Sequence, residues 1–282
     1  MRKLLSIWKW SLAVTARSPL ALVVLAAVSA LWMFGAYQWL WLPESSIWVL
    51  LLALVWAIVQ ILVLVGLLAG TAVGGVEAAT TGASHLCLRT LVKFDRRQLV
   101  RCFIMLAVSA LLVLIVAKLF AWIDAHALEV ASFLTFRSAH PVSPHTSGAI
   151  WWWIALVLWS GIGGLLWYFL LNVLASGWGE ACRQIRHAVV SCCLGACLLT
   201  SLLSVLVFGG LANLLVGWHP KVGPGFWDYT QTTLRLGASL MLLAAGWLFW
   251  TLTLARMIVV SREEKGSAVI PPVLEVRDKG TL

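Results

Sequence analysis

The segment Ile47–Val73, IWVLLLALVWAIVQILVLVGLLAGTAV, holds 27 residues without one charged side chain. Gln60 is its single amide. A helix needs about 20 mostly apolar residues to cross a bilayer, and this run exceeds that. In hydrocarbon every backbone polar group must be satisfied within the segment, so such a run folds as a helix.

Five further runs qualify, at about 20–42, 102–122, 149–174, 188–217 and 236–256. The whole chain agrees with them: 62% of its 282 residues are hydrophobic, only 11% are charged, and the mean hydropathy is +0.96. Soluble domains carry about a quarter charged residues. The expected fold class is therefore all-α, a polytopic membrane protein of about six transmembrane helices with an N-terminal interfacial amphipathic helix. Its organisation reads as 1–19 interfacial helix, 20–260 transmembrane domain and 261–282 flexible cytoplasmic tail with Pro271-Pro272. The fifth run is longer than a bilayer needs and is expected to tilt or to bend near Gly209-Gly210. Residues 2–17 put Leu4, Ile7, Trp8 and Leu12 roughly on one side, with Arg2, Lys9 and Ala13 on another. The long charged region and the spanning length of the run after Pro19 argue against a cleaved signal peptide.

Orientation follows the basic residues. With the N-terminus in the cytoplasm, the inner segments hold sixteen Lys and Arg and seven Asp and Glu, and the outer segments four of each. The net charge of +9 then lies wholly on the inner face (16 − 7), where it meets anionic lipid headgroups. This makes the bilayer the main partner, leaves a protein partner at the cytoplasmic face open, and gives no reason to invoke nucleic acid. Both ends are expected inside, in a cell inner membrane. Trp39, Trp41, Trp151 to Trp153, Trp218 and Trp227 fall near predicted interfaces, as an aromatic belt requires.

The six cysteines, Cys87, Cys102, Cys182, Cys192, Cys193 and Cys197, lie in or near the inner half, where reducing conditions keep thiols free. Gly66, Gly70 and Gly74 recur four apart, and Cys193, Cys197, Thr200 and Ser204 form a second stripe of small residues. Both read as helix-packing faces. The inner loop, about 74–101, is expected to form a short amphipathic helix on the surface. The outer loop, about 123–148, is expected to hold a helix from Asp124 to Phe136. That loop also carries His126, His140 and His145 beside Asp124 and Glu129, but no pair has the i, i+4 spacing of a metal helix, and no metal is expected.

An internal echo supplies the candidate site. Gly74-Gly75-Val76-Glu77-Ala78 and Gly177-Trp178-Gly179-Glu180-Ala181 both stand where a helix leaves the membrane inward, each before a basic stretch. This suggests related hairpins. Glu77 and Glu180, with Arg183 and Arg186, are the ligand-binding candidates, an inner vestibule for a cation, a proton or a headgroup amine. The alternative is ordinary interfacial charges pairing with arginines. Gln60, Asn172 and Asn213 are the few polar residues inside the runs. No HExxH, Walker A, GxGxxG or GxSxG motif is present, and Ser160-Gly161 and Ser176-Gly177 lack the glycine a nucleophile elbow needs. No enzymatic activity and no cofactor are expected.

Arg17-Ser18-Pro19, Phe94-Asp95-Arg96-Arg97 before the third run, and the Gly177-x-Gly-Glu180 exit of the fourth resemble a broad group of bacterial six-helix membrane proteins. That group includes the membrane domain joined to some glycerophosphodiester phosphodiesterases. The resemblance implies a place in the cytoplasmic membrane. Without the catalytic domain it carries no phosphodiesterase activity over. The expected role is the binding or transport of lipid-like or small amphiphilic molecules, with a scaffold that docks a partner through its basic face and tail as the alternative.

Overall fold

The computed structural model describes residues 2–42, 46–92, 95–137, 144–183, 195–218 and 225–263, and among these every regular element is helical. In chain order they are α1 (Arg2–Ala16), α2 (Pro19–Leu40), α3 (Ile47–Thr81), α4 (Leu88–Val92), α5 (Arg96–Ala125), α6 (Ala127–Arg137), α7 (Pro144–Ser176), α8 (Trp178–Arg183), α9 (Ala196–Gly217) and α10 (Phe226–Glu263). Six of them, α2, α3, α5, α7, α9 and α10, are long and apolar enough to cross a membrane. The polytopic all-α architecture is thus the one the composition requires.

Local chemistry sets the ends. Pro19 opens α2, where its missing N–H costs nothing. The Ser46 hydroxyl accepts from Val49 N at 3.4 Å to start α3. Gly82, at φ 65°, closes α3 by returning its N–H to Ala78 O. Gly177, at φ 83°, breaks α7 from α8 while its N–H still bonds Val173 O at 2.8 Å.

α10 is the centre of the bundle. It packs against α1, α2, α3, α7 and α9. More than half of its most apolar 18 residues are buried, against a third or less in the other five spans. The core is lopsided. In α3 the buried positions run from Val65 to Ala79, in α7 they include Trp167 to Ala175, and in α10 they cluster from Ala244 to Arg262. These are the ends of the bundle nearest the basic residues, called the basic end below. At the opposite end Leu50, Leu54, Leu111, Leu114, Trp152, Leu214 and Trp227 are exposed, as lipid-facing side chains are.

Several helices outrun the lengths predicted for their spans. α3 continues to Thr81 instead of stopping near 73, α5 begins at Arg96, and α10 covers Phe226–Glu263 instead of 236–256. Protein contacts hold the extra turns: Ala78 and Ala79 of α3, and Ile258, Val259 and Arg262 of α10, are all buried. The helix predicted for the outer loop is interrupted at His126, between α5 and α6. Residues 264–282, most of the predicted tail, lie outside the described residues, as do 188–194 of the fifth predicted run.

The glycine stripe of α3 has a definite occupant, α4. A Cβ at Gly70 would overlap the Leu91 carbonyl, and one at Gly74 would stand 3.3 Å from Leu91 Cδ2 and 3.4 Å from Leu86 Cδ2. The short helix expected in the inner loop forms as α4, and the loop folds back along α3 to bury Leu86 and Leu91. A hydrogen bond from Leu86 N to Ser18 Oγ, 2.8 Å and buried, ties this loop to the start of α2. The N-terminal helix also lies differently from its predicted face. α1 turns Ile7, Ser11, Val14 and Thr15 into the protein and leaves Leu5 and Leu12 about half exposed. Small side chains let it approach α10 closely, and the larger leucines stay on the outside.

Candidate functional site

Three arginines close the basic end. Arg262, on the last turn of α10, is 7% exposed, and its Nη2 donates to Asn172 Oδ1 and to Ser176 Oγ, each at 2.6 Å. Asn172 and Ser176 stand four apart, one above the other on α7, so one guanidinium reaches both. Arg101 of α5 donates to Val173 O at 3.3 Å. Arg256 of α10 donates to Ala79 O at 2.7 Å, with its guanidinium 5.7 Å from the Trp10 ring centroid. Ala79 and Val173 lie in the last turns of α3 and α7, where carbonyls carry the negative end of the helix dipole, and the Val173 oxygen takes the Arg101 guanidinium as a second donor beside Gly177 N. A cation is favoured at both ends. The result is a clasp joining α1, α3, α5, α7 and α10.

The predicted site residues sit around this clasp. Glu180 is exposed on α8 and attracts Arg262 electrostatically. Glu77 is half-buried in α3, and its side chain makes no hydrogen bond or ion pair with another described residue. Its backbone oxygen accepts from the Thr80 and Thr81 hydroxyls. Arg183 is exposed on α8, and Arg186 lies outside the described residues. The two halves of the internal echo differ in form. Gly177 breaks a helix with a positive φ, whereas Gly74 and Gly75 lie inside continuous α3, where a Cβ at Gly75 would stand 2.9 Å from Thr251 Cγ2. Of the second small-residue stripe, Cys197, Thr200 and Ser204 are buried as a packing face, and Cys193 lies outside the described residues. Among the described residues no group of three or more His, Cys, Asp or Glu gathers to hold a metal.

Deeper in the bundle is a cluster the sequence did not announce. Trp167 of α7 meets Trp247 and Trp250 of α10 at centroid distances of 4.6 and 6.0 Å, and those two are 5.3 Å apart. Each indole N–H finds a hydroxyl on a neighbouring helix. Trp167 donates to Thr251 at 3.0 Å, Trp247 to Thr71 at 3.3 Å and Trp250 to Ser201 at 2.8 Å. A buried indole without such a partner is costly, so these pairs fix how α3, α7, α9 and α10 face one another. These pairs join residues 84, 176 and 49 positions apart, so no local spacing in the sequence marks them.

The cluster walls a cleft of about 380 Å³ between α7, α9 and α10, open on one side. That is within the usual range for a small-molecule site. Its surface is almost wholly apolar, with Trp159, Phe208, Leu243 and Trp250 among its walls. Among the described residues no charged one lines it, and the polar side chains there are Ser160, Ser201 and Ser204, with the indoles. α9 changes to a π-helix over Val205–Gly209, at the place where a bend was expected, and Val205, Phe208 and Gly209 border the cleft. Such wider turns are frequent at functional sites. Gly246 lets Phe208 in, since a Cβ there would stand 2.7 Å from Phe208 Cβ, and Ser204 Oγ donates to Gly246 O at 2.9 Å. A second apolar cleft, about 310 Å³, lies between α2, α3 and α10, and Trp247 borders both.

No protein-family profile, curated protein sequence or solved structure matches the chain.

Proposed function

We propose that this chain is a multi-pass protein of a bacterial inner membrane, with both ends in the cytoplasm, that binds or moves lipid-like or small amphiphilic molecules without catalysing a reaction. One observation carries the reading: the half-open apolar cleft of about 380 Å³ between α7, α9 and α10, set within the span of the membrane-length helices. Apolar walls with a few placed hydroxyls suit a ligand that arrives from the lipid phase. The basic end supports the orientation. Arg2, Lys3, Lys9, Arg17, Arg89, Arg96, Arg97 and Arg183 are exposed there, against the exposed acids Asp95, Glu180 and Glu263. Each such base gains about 1 kcal/mol beside an anionic leaflet.

The same exposed bases favour the rival reading, a scaffold that docks an acidic protein partner at the inner face.

Gly163 separates the two. It borders the cleft, and nothing lies within 4 Å of a Cβ built on it, so leucine is the substitution chosen to take up part of the cleft. Native mass spectrometry from lipid nanodiscs should find one lipid-sized molecule retained by the wild type and lost from Gly163→Leu. Retention unchanged by Gly163→Leu, or a co-purifying protein with no bound lipid, would put the scaffold first. Glu77→Gln with Glu180→Gln, run beside it, tests the inner vestibule. Loss of the bound molecule there, with Gly163→Leu silent, would return the site to the carboxylates.

A further inference from the structure

The polar chemistry of the cleft is one-sided. Buried hydroxyls in these helices mostly turn back to a carbonyl of the preceding turn, as Thr15, Ser18, Thr71, Thr200 and Thr253 do at 2.6 to 2.9 Å. Ser160 does not. It is 7% exposed, borders the cleft, and makes no hydrogen bond with a described residue. Ser201, 3% exposed, accepts from Trp250 Nε1, and its own hydrogen goes to no described acceptor. A Cβ at Gly164 would lie 2.8 Å from Ser201 Oγ. Ser160 stands one turn from Gly164 on the same face of α7, which brings the two serines to one wall. Two O–H donors thus border a largely apolar space, and no described residue accepts from either.

Depth limits what can answer them. Ser160 is sixteen residues from Ser176 at the basic end, roughly 24 Å of helix. It is ten residues from Ile150, the other end of that span, roughly 15 Å. The position falls well inside a hydrocarbon core of about 30 Å, where a charged headgroup is costly. We infer that the cleft takes a neutral lipid-phase molecule whose carbonyl oxygen accepts from Ser160, backed by Ser201, with its apolar body against the tryptophan and phenylalanine walls. The inference rests on the cleft reading above and adds the ligand's chemistry to it. A prenyl quinone and a diacylglycerol ester both carry that oxygen on an uncharged, apolar body.

The test uses the full chain in nanodiscs of phosphatidylethanolamine and phosphatidylglycerol doped with equal amounts of a ubiquinone and a diacylglycerol, read by native mass spectrometry. The wild type should retain one equivalent of a doped neutral lipid, and its mass tells which of the two supplies the carbonyl. Ser160→Ala should weaken that retention about fivefold, the worth of one hydrogen bond, and Ser160→Thr should restore it. Gly163→Leu should abolish it, with thermal unfolding confirming that each variant is folded. Retention of a phospholipid that Gly163→Leu removes and Ser160→Ala leaves unchanged would overturn the carbonyl inference while the cleft stands. Insensitivity to Gly163→Leu, or no retained lipid in the wild type, would overturn both.

Discussion

Replacing Gly70 by alanine sets two effects of opposite sign against each other. In a helix interior alanine is favoured over glycine by up to about 1 kcal/mol. At Gly70 the new Cβ would overlap the Leu91 carbonyl oxygen and lie 3.1 Å from the Leu91 carbonyl carbon. The obstacle is backbone, which cannot swing aside as a flexible side-chain tip does. α4 would have to lift from α3, uncovering Leu86 and Leu91, 6% and 8% exposed, and pulling on the Leu86 N to Ser18 Oγ bond. Overpacking of this kind costs about 1–3 kcal/mol, and a backbone clash belongs at the upper end. The net expectation is a loss of about 2 kcal/mol, a fall in Tm of about 5 °C. Gly237→Ala is the control, because Gly237 is exposed on α10 with nothing within 4 Å of a Cβ, and it should gain up to about 1 kcal/mol. Thermal unfolding in nanodiscs, followed by tryptophan emission, reads both. Gly70→Ala equal to the wild type, or moving with Gly237→Ala, would refute the seating of α4 on the glycine stripe.

Other outcomes follow from the clasp and the cluster. Asn172→Leu should cost about 1.5–3 kcal/mol in the same assay, because it strips one of two acceptors from a buried guanidinium, and adding Arg262→Met should recover most of that loss. A double mutant as unstable as the sum of its parts would deny the pairing. Thr251→Val keeps the methyl against Gly75 but leaves the Trp167 N–H without its acceptor, and should cost about 1–3 kcal/mol and shift the emission maximum. An unchanged spectrum and stability would remove Thr251 from the network. Cys87 and Cys182, both exposed at the basic end, should resist a membrane-impermeant maleimide in intact cells and react in inverted vesicles, each tested as the sole cysteine. Labelling from outside would reverse the proposed orientation.

Individual residues show how far the sequence could be read. Pro19 and the uncharged run Ile47–Val73 marked helices because each acts through its own neighbours. Gly70 and Gly74 were legible as a packing stripe, but their partner was not, since Leu91 reaches them only by a loop folding back. Gly74-Gly75 read as a helix exit for the same reason: close approach to Leu91 and Thr251 looks, in one dimension, like a stop signal. Arg256 and Arg262 counted as charges facing headgroups. Their bonds to Ala79 and Asn172 span 177 and 90 residues of chain, beyond any local pattern. Ser160 was weighed only as a nucleophile, because an unanswered hydroxyl is visible only once the surrounding helices are in place.

The sequence by itself determined the solvent of the protein, its helical class, and the number of its membrane-length helices. Those properties are sums over residues or follow from a repeat within one segment, and the bilayer imposes them on each run separately. Tertiary structure alone decided that α10 is central, that three arginines tie together helices distant in sequence, and that Trp167, Trp247 and Trp250 meet beside a cleft that Ser160 and Ser201 border. Those properties depend on which faces of six apolar helices meet. Lipid gives little preference among apolar faces, so the choice falls to sparse glycines, indoles and hydroxyls whose partners lie on other helices.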